Sequence, residues 1–369
     1  MTERGGEALN HLKRRSFIEE LFFVRAIACL CVVLIHAISA NIDLYDLTPL
    51  ETEAFRSLQL AMMFATPLFI CISELLLAHA YPDRTPTGFW GKRIRFILIP
   101  YIAIGLLYTI LYYEASFEEF WSRAVDIVVF GRWNGYFVLI IFQFYFLHRI
   151  FIRYMKDWPP VPVLVTSFGI NFLYLAVVMA AGRFDLVDPA LLSHHKLPFP
   201  GWLFYFTAAY YIGRNLGGFR EWIRLRWRWV GWSFFVCMAG VLLLKMTGLV
   251  HTASSKRVDM LLYTVAALGF LFGLAMRLRR IPAALVLISR LSYGIYLLHP
   301  LAMMYVGQWW LSTGSLPYAV SLFLLFSAGV VVPGILTWLL NLTDWGPYLV
   351  GKIGSAAPGE KGYRTARVT

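Results

Sequence analysis

Charge is what this chain has least of. Only 15% of its 369 residues are Asp, Glu, Lys or Arg, against about 25% in soluble domains. Mean hydropathy is +0.64. That balance excludes a soluble enzyme and implies a polytopic integral membrane protein. Cysteine is scarce as well: Cys29, Cys31, Cys71 and Cys237 all fall in apolar stretches, none paired at metal-ligand spacing. They read as packing residues, and neither a metal centre nor a disulfide framework is expected. No ten-residue alternation of apolar and polar residues is present, which argues against a barrel and leaves helices as the spanning elements. No small-residue cleavage pattern follows the basic segment His11 to Arg15, so the apolar run beyond it is a span and not a removable signal.

Acid is also short, with 21 Asp and Glu against 33 Lys and Arg, for a net charge of +12. Such an excess would suit nucleic acid, but its distribution points elsewhere. Ten spans are expected, near 18–40, 57–80, 94–113, 134–152, 161–181, 200–216, 229–250, 258–277, 283–310 and 315–341. Alternate ends of these spans hold 24 of the 33 basic residues, and the opposite ends hold acids such as Asp43, Asp46, Glu51, Glu118 and Glu119. By the positive-inside rule both termini are cytoplasmic, and attraction to anionic lipid accounts for most of the excess. The segment Arg220 to Arg228, where arginine alternates with tryptophan, reads as an interfacial helix, and 114–133 has room for a short surface helix. The expected organisation is a cytoplasmic tail 1–16, a ten-helix domain 17–341 and a cytoplasmic tail 342–369 without fixed structure. His194 and His195 are adjacent, which suits a surface loop better than a shared metal.

Two polar stripes interrupt this apolar background. Leu21 to Ala40 is long enough to span, yet carries Arg25 and His36. Eleven residues are close to three helical turns, so both project from one face, ~16 Å apart along the axis. Arg25 alone is compatible with snorkelling to the interface, and His36 alone with an interhelical hydrogen bond. The second stripe is Ser292, Tyr296 and His299, spaced i, i+4, i+7, with Pro300 next to it. A basic cluster, Lys92, Arg93 and Arg95, opens the third span beside Trp90.

These residues resemble a known family. Arg25 and His36 with ten residues between them match the first-helix signature of the family-3 membrane acyltransferases, which move acyl groups from acyl-CoA to extracytoplasmic acceptors. PLFICISELLL (67–77), FWGKRIRFILIPY (89–101), WNGYFVLIIFQFY (133–145), WLFYFTAAYYIG (202–213) and LSYGIYLLHPL (291–301) resemble that family's later segments in order. The resemblance covers about 17–341 and is closest to the stand-alone branch with the intercellular-adhesin and exopolysaccharide acyltransferases. Two positions depart from the pattern: Glu74 stands where glycine is common, and Asn134 where many members have histidine. Asparagine cannot take a proton at neutral pH, which leaves His36 as the candidate base.

The resemblance implies an O-acyltransferase of the bacterial cytoplasmic membrane. It would move acetyl, or succinyl, from cytoplasmic acyl-CoA to an exported polysaccharide or envelope glycan, with no metal and no nucleic acid. Synthesis or export machinery for the polysaccharide and membrane lipid are the implied partners. His36 would act as general base, with Tyr296, Ser292 and Asn134 as oxyanion donors. Arg25, Lys92, Arg93 and Arg95 would hold CoA phosphates. His299, Trp202, Tyr145, Gln143 and Glu74 would contact substrate, with Glu74 expected to pair with an arginine such as Arg25. A polysaccharide or lipid-linked sugar exporter is the alternative, and a non-catalytic synthase subunit a weaker one. Topology is testable first: reporters fused at both ends should register as cytoplasmic, and one inserted beside Lys196 as external.

Overall fold

The computed structural model describes residues 18–113, 116–184, 195–250, 254–313 and 316–354. The expected tail 1–16, His194 and the residues after 354 lie outside the described residues. Those described form an all-helical bundle without strands.

Helices occupy all ten expected positions. α1 (Glu20–Leu44) is followed by α2 (Pro49–Met62) and α3 (Ala65–Ala80), then α4 (Phe89–Arg93). A π-helical turn (Ile94–Leu98) joins α4 to α5 (Ile99–Tyr113). α6 (Phe117–Val128) lies in the connection before α7 (Phe137–Ile150), and α8 (Pro160–Arg183) follows. Next come α9 (Leu203–Arg214), α10 (Leu216–Leu225), α11 (Trp227–Met246), α12 (Met260–Ala275), α13 (Ala283–Thr313) and α14 (Tyr318–Leu340). A last short helix, α15, spans Gly346–Val350. By length and composition, eight helical stretches among the described residues suffice to cross a membrane. α9 and α12 do not, at 12 and 16 residues, because ~1.5 Å per residue leaves them short of a ~30 Å hydrocarbon core. Both are walled in by other helices, and protein contact relieves the need to span lipid.

α1 is the hub. It packs against α2, α3, α12, α13 and α14, and its buried residues include Ala26, Ala28 and Ala37, whose small side chains allow close helix approach. Polar ties hold the neighbours in register. Gln59 on α2 donates to the Ile35 carbonyl and to Ser39 Oγ, each at 2.8 Å. Asn41 Nδ2 donates to the Tyr318 carbonyl at 3.1 Å, and its Oδ1 accepts from Ser321 at 2.6 Å. By contrast α8 and α11 expose rows of large apolar side chains, such as Val161, Val165, Leu173, Trp229, Trp232 and Val236, as lipid-facing helices should.

The two expected surface helices are present as α6 and α10. Ser116 caps α6 by accepting from the Glu119 N–H, and Asn215 caps α10 through the Gly218 N–H at 3.1 Å. Arg220 on α10 forks onto Glu20 at the start of α1, with two bonds of 2.7 Å.

α9 crosses α3 closely. A Cβ added at Gly213 would stand 2.5 Å from the Leu75 carbonyl oxygen and 2.9 Å from Ala78 Cβ. Gly213→Ala should therefore push the helices apart and cost ~1–3 kcal/mol, seen as a lowered thermal unfolding midpoint in detergent.

Candidate functional site

The two stripes meet. α13 packs along α1, which brings His299 against His36 with ring centroids 5.1 Å apart. The His299 Nδ1 lies 3.0 Å from the Ile295 carbonyl and 2.9 Å from the Tyr296 carbonyl. Carbonyls only accept, so Nδ1 carries the proton, and a neutral His299 has a bare Nε2. That Nε2 is buried without a hydrogen-bond partner. His36 has no hydrogen-bond partner among the described residues. The Tyr296 ring lies 6.4 Å from that of His299, so three titratable rings run in sequence from Tyr296 to His36.

Tyr296 also forms the inner wall of a cavity of about 690 Å³, within the ~300–1,000 Å³ usual for small-molecule sites. The cavity lies at the end of the bundle that carries the cation excess. Arg25, Lys92 and Arg93 line it, as do Tyr145 and Ser292, and no carboxylate does. Arg93 sits over the rings of Phe89 and Tyr145, 5.0 and 5.2 Å from their centroids, and its buried Nε has no partner. Arg25 has no ion pair or hydrogen bond among the described residues. Uncompensated guanidinium groups beside a cavity are ready for an anionic ligand.

Other predicted site residues are placed differently. Arg95 is exposed and off the cavity. Lys92, Arg93, Phe96 and Ile97 line the cavity at i, i+1, i+4 and i+5, one helical face, and Arg95 lies off that face. Glu74 does not pair with Arg25. Its Oε1 is 2.7 Å from His148 Nδ1, with the two side chains 1% and 0% exposed. His148 Nε2 lies 3.3 Å from the Tyr81 carbonyl and must donate there, so one further proton is shared between imidazole and carboxylate. Gln143 is used structurally: its Nε2 donates to the Leu197 carbonyl at 2.9 Å and its Oε1 accepts from the Phe199 N–H at 3.0 Å. Trp202 is buried and donates to the Lys196 carbonyl at 2.9 Å. These two hold the connection ahead of α9, away from the cavity.

The predicted oxyanion donors are partly committed. Tyr296 donates its hydroxyl proton to the Asn134 carbonyl, and Ser292 donates to the Ser289 carbonyl at 2.9 Å. The Asn134 side-chain amide, free of partners among the described residues, is the donor that remains.

Arg290 and Lys352 also line the cavity, and from the sequence alone they read only as charge. A histidine near the end of a span, in FLHRIF, is the signal that could have found a partner for Glu74.

At the other end of the bundle, Lys196 and Lys256 flank the Tyr136 ring, 4.9 and 5.4 Å from its centroid. Burial lowers both lysines, and the neighbouring Lys196 adds to the effect on Lys256, which falls to about 8.

Fold and site define a polytopic membrane protein with an internal cationic cavity lined by Tyr296, whose ring neighbours the paired imidazoles of His299 and His36. The chain belongs to the acyltransferase domain family, whose model matches residues 18–341, and so is a membrane acyltransferase. It is 35% identical over 354 residues to a Bacillus subtilis (strain 168) protein named "Putative membrane-bound acyltransferase YfiQ", covering 91% of this chain and 95% of that one. It is 27% identical over 292 residues to a Staphylococcus aureus (strain Mu50 / ATCC 700699) protein named "Probable poly-beta-1,6-N-acetyl-D-glucosamine export protein", covering 76% and 81%. A Staphylococcus epidermidis protein of the same name is 26% identical over 296 residues, covering 76% and 80%. No solved structure matches the chain.

The Glu74–His148 pair gives a test. Glu74→Ala leaves a buried imidazole without its partner and should destabilise the protein by ~3–5 kcal/mol. Glu74→Gln, whose side-chain N–H can donate to the bare Nδ1 of a neutral His148, should lose much less in the same thermal unfolding assay.

Proposed function

We propose that this protein transfers an acyl group, acetyl or succinyl, from cytoplasmic acyl-CoA to a hydroxyl of an exported polysaccharide or envelope glycan. The bacterial cytoplasmic membrane, with the cavity facing the cytoplasm, is the setting of this reading. One observation carries it: a cavity with Arg25, Lys92 and Arg93 on its wall and no carboxylate there reaches a tyrosine next to the His36–His299 pair.

CoA is polyanionic and has a long flexible arm. Phosphates held at the cavity mouth leave the thioester free to extend inward along α1, over the ~16 Å between Arg25 and His36. His36 then takes the proton of the acceptor hydroxyl as that oxygen attacks the thioester carbonyl. The Asn134 amide is available to the developing oxyanion. Collapse of the tetrahedral intermediate breaks the C–S bond, and the CoA thiolate recovers the proton from the imidazolium. His299, locked with Nδ1–H on the backbone, presents an acceptor nitrogen beside His36 and favours one orientation of that ring. The transfer needs no covalent acyl-enzyme.

The export function in the staphylococcal relatives' names supports a second reading, in which the chain moves a glycan without acyl transfer. Donor binding separates the two. Wild-type protein should bind acetyl-CoA or succinyl-CoA saturably, Arg25→Ala should lose most of that affinity, and His36→Ala should bind normally while turnover drops ~10²–10⁴-fold. No thioester binding by folded wild-type protein would favour the exporter.

A further inference from the structure

The chain's ordered path continues beyond its last long helix. After α14 it doubles back: the Gly346 N–H donates to Thr343 Oγ1 at 3.1 Å, and a Cβ at Gly346 would stand 1.7 Å from the Leu340 carbonyl oxygen. α15 then buries Val350 in the cluster formed by Tyr101, Ile104 and Leu297. The segment 342–354, part of the expected tail, is thus packed.

Residues 351–354 are clamped from several sides. Asn341 Nδ2 donates to the Gly351 carbonyl at 3.0 Å, and Asn341 Oδ1 accepts from the Ile353 N–H at 3.2 Å. Arg290 Nε donates to the Gly354 carbonyl at 3.0 Å. Gly351 adopts φ 82°, a left-handed conformation that favours glycine. A Cβ there would also meet the Tyr293 ring at 2.3 Å, and that ring is itself anchored by its hydroxyl donating to the Ile97 carbonyl at 2.6 Å.

This clamp sets Lys352 at the rim of the cavity. Lys352 and Arg290 join Arg25, Lys92 and Arg93 on the lining, which makes five cations drawn from four separate stretches of chain. Lys352 is exposed, lies 5.7 Å from the Phe96 ring centroid, and has no carboxylate partner among the described residues. A fixed backbone carrying a long free ammonium at a cationic mouth suits a ligand bearing several phosphates.

We infer that residues 341–354 form a strap that completes the donor-binding mouth. In it Lys352 binds a phosphate of the donor, and Asn341 and Gly351 act as positioning residues. The inference rests on the reading of this cavity as an acyl-CoA site.

Acetyl-CoA binding to the full-length protein in lipid nanodiscs tests it. Lys352→Ala should weaken binding roughly three- to tenfold, and Lys352→Arg should restore it. Arg95→Ala, which removes a nearby cation outside the cavity, should leave binding unchanged. Lys352 is exposed, so the thermal midpoint should hold. In turnover, Lys352→Ala should raise KM for the donor and spare kcat. Asn341→Ala should weaken binding in the same direction. Wild-type binding that Lys352→Ala leaves unaltered overturns the strap and leaves the acyl-CoA reading standing. Absence of binding by wild type overturns both.

Discussion

Arg25 and His36 share one face of a helix enclosed by five others, and the rest of the molecule is arranged to accommodate that. A guanidinium within an apolar span is costly unless it meets a partner or an internal cavity. Here it meets the cavity. The helices that wall off α1 keep both groups away from lipid, and the basic segment around Lys92 and Arg93 gathers beside Arg25 where α4 meets α5. The same enclosure explains why α9 and α12 can be short. Protein, not lipid, surrounds them.

Association of helices in a membrane gains little from the hydrophobic effect, so close packing and polar ties must provide it. Both occur among the helices around the site. Gly213 brings α9 onto the backbone of α3, and Gly329 packs against Met303 and Val33 where α14 meets α13 and α1. Gln59, Asn41 and Ser321 pin α2 and α14 to α1. Lys245 on α11 reaches Glu53 at 2.5 Å and Ser57 at 2.9 Å on α2. Buried Arg257, held by Asp259 with two bonds at 3.0 and 2.6 Å, donates to the Val241 carbonyl of α11 at 3.2 Å. Glu74 and His148 belong in this group: a hydrogen-bonded pair that joins α3 to α7 and stands clear of the cavity wall.

Much of this was legible in the chain. Hydropathy located helices at the ten expected positions, eight stretches among the described residues being long enough to span, and the amphipathic stretches before α7 and α11 were visible as surface helices. The spacing of Arg25 and His36 could be converted to geometry because both lie on one helix of fixed rise. The ordered series of motifs identified the family. Less legible were the roles of Gln143 and Trp202, whose partners are backbone groups of the 196–199 connection. A sequence shows that such side chains can hydrogen-bond without showing to what. Arg95 misled for a definable reason: it stands two residues from Arg93, and residues two apart on a helix face different sides.

Composition and periodicity thus determined the membrane class, the helices, the sidedness of the charge and the two polar stripes, because each is a property of residues near one another in the chain. Only the tertiary structure decided which polar groups meet. His299 lies against His36, His148 takes Glu74, and Lys352 reaches a cavity whose other cations begin at Arg25. These partners are separated by between 74 and several hundred residues. Their encounter depends on how closely helices approach and at what rotation, and that is settled by small residues and backbone carbonyls on facing surfaces.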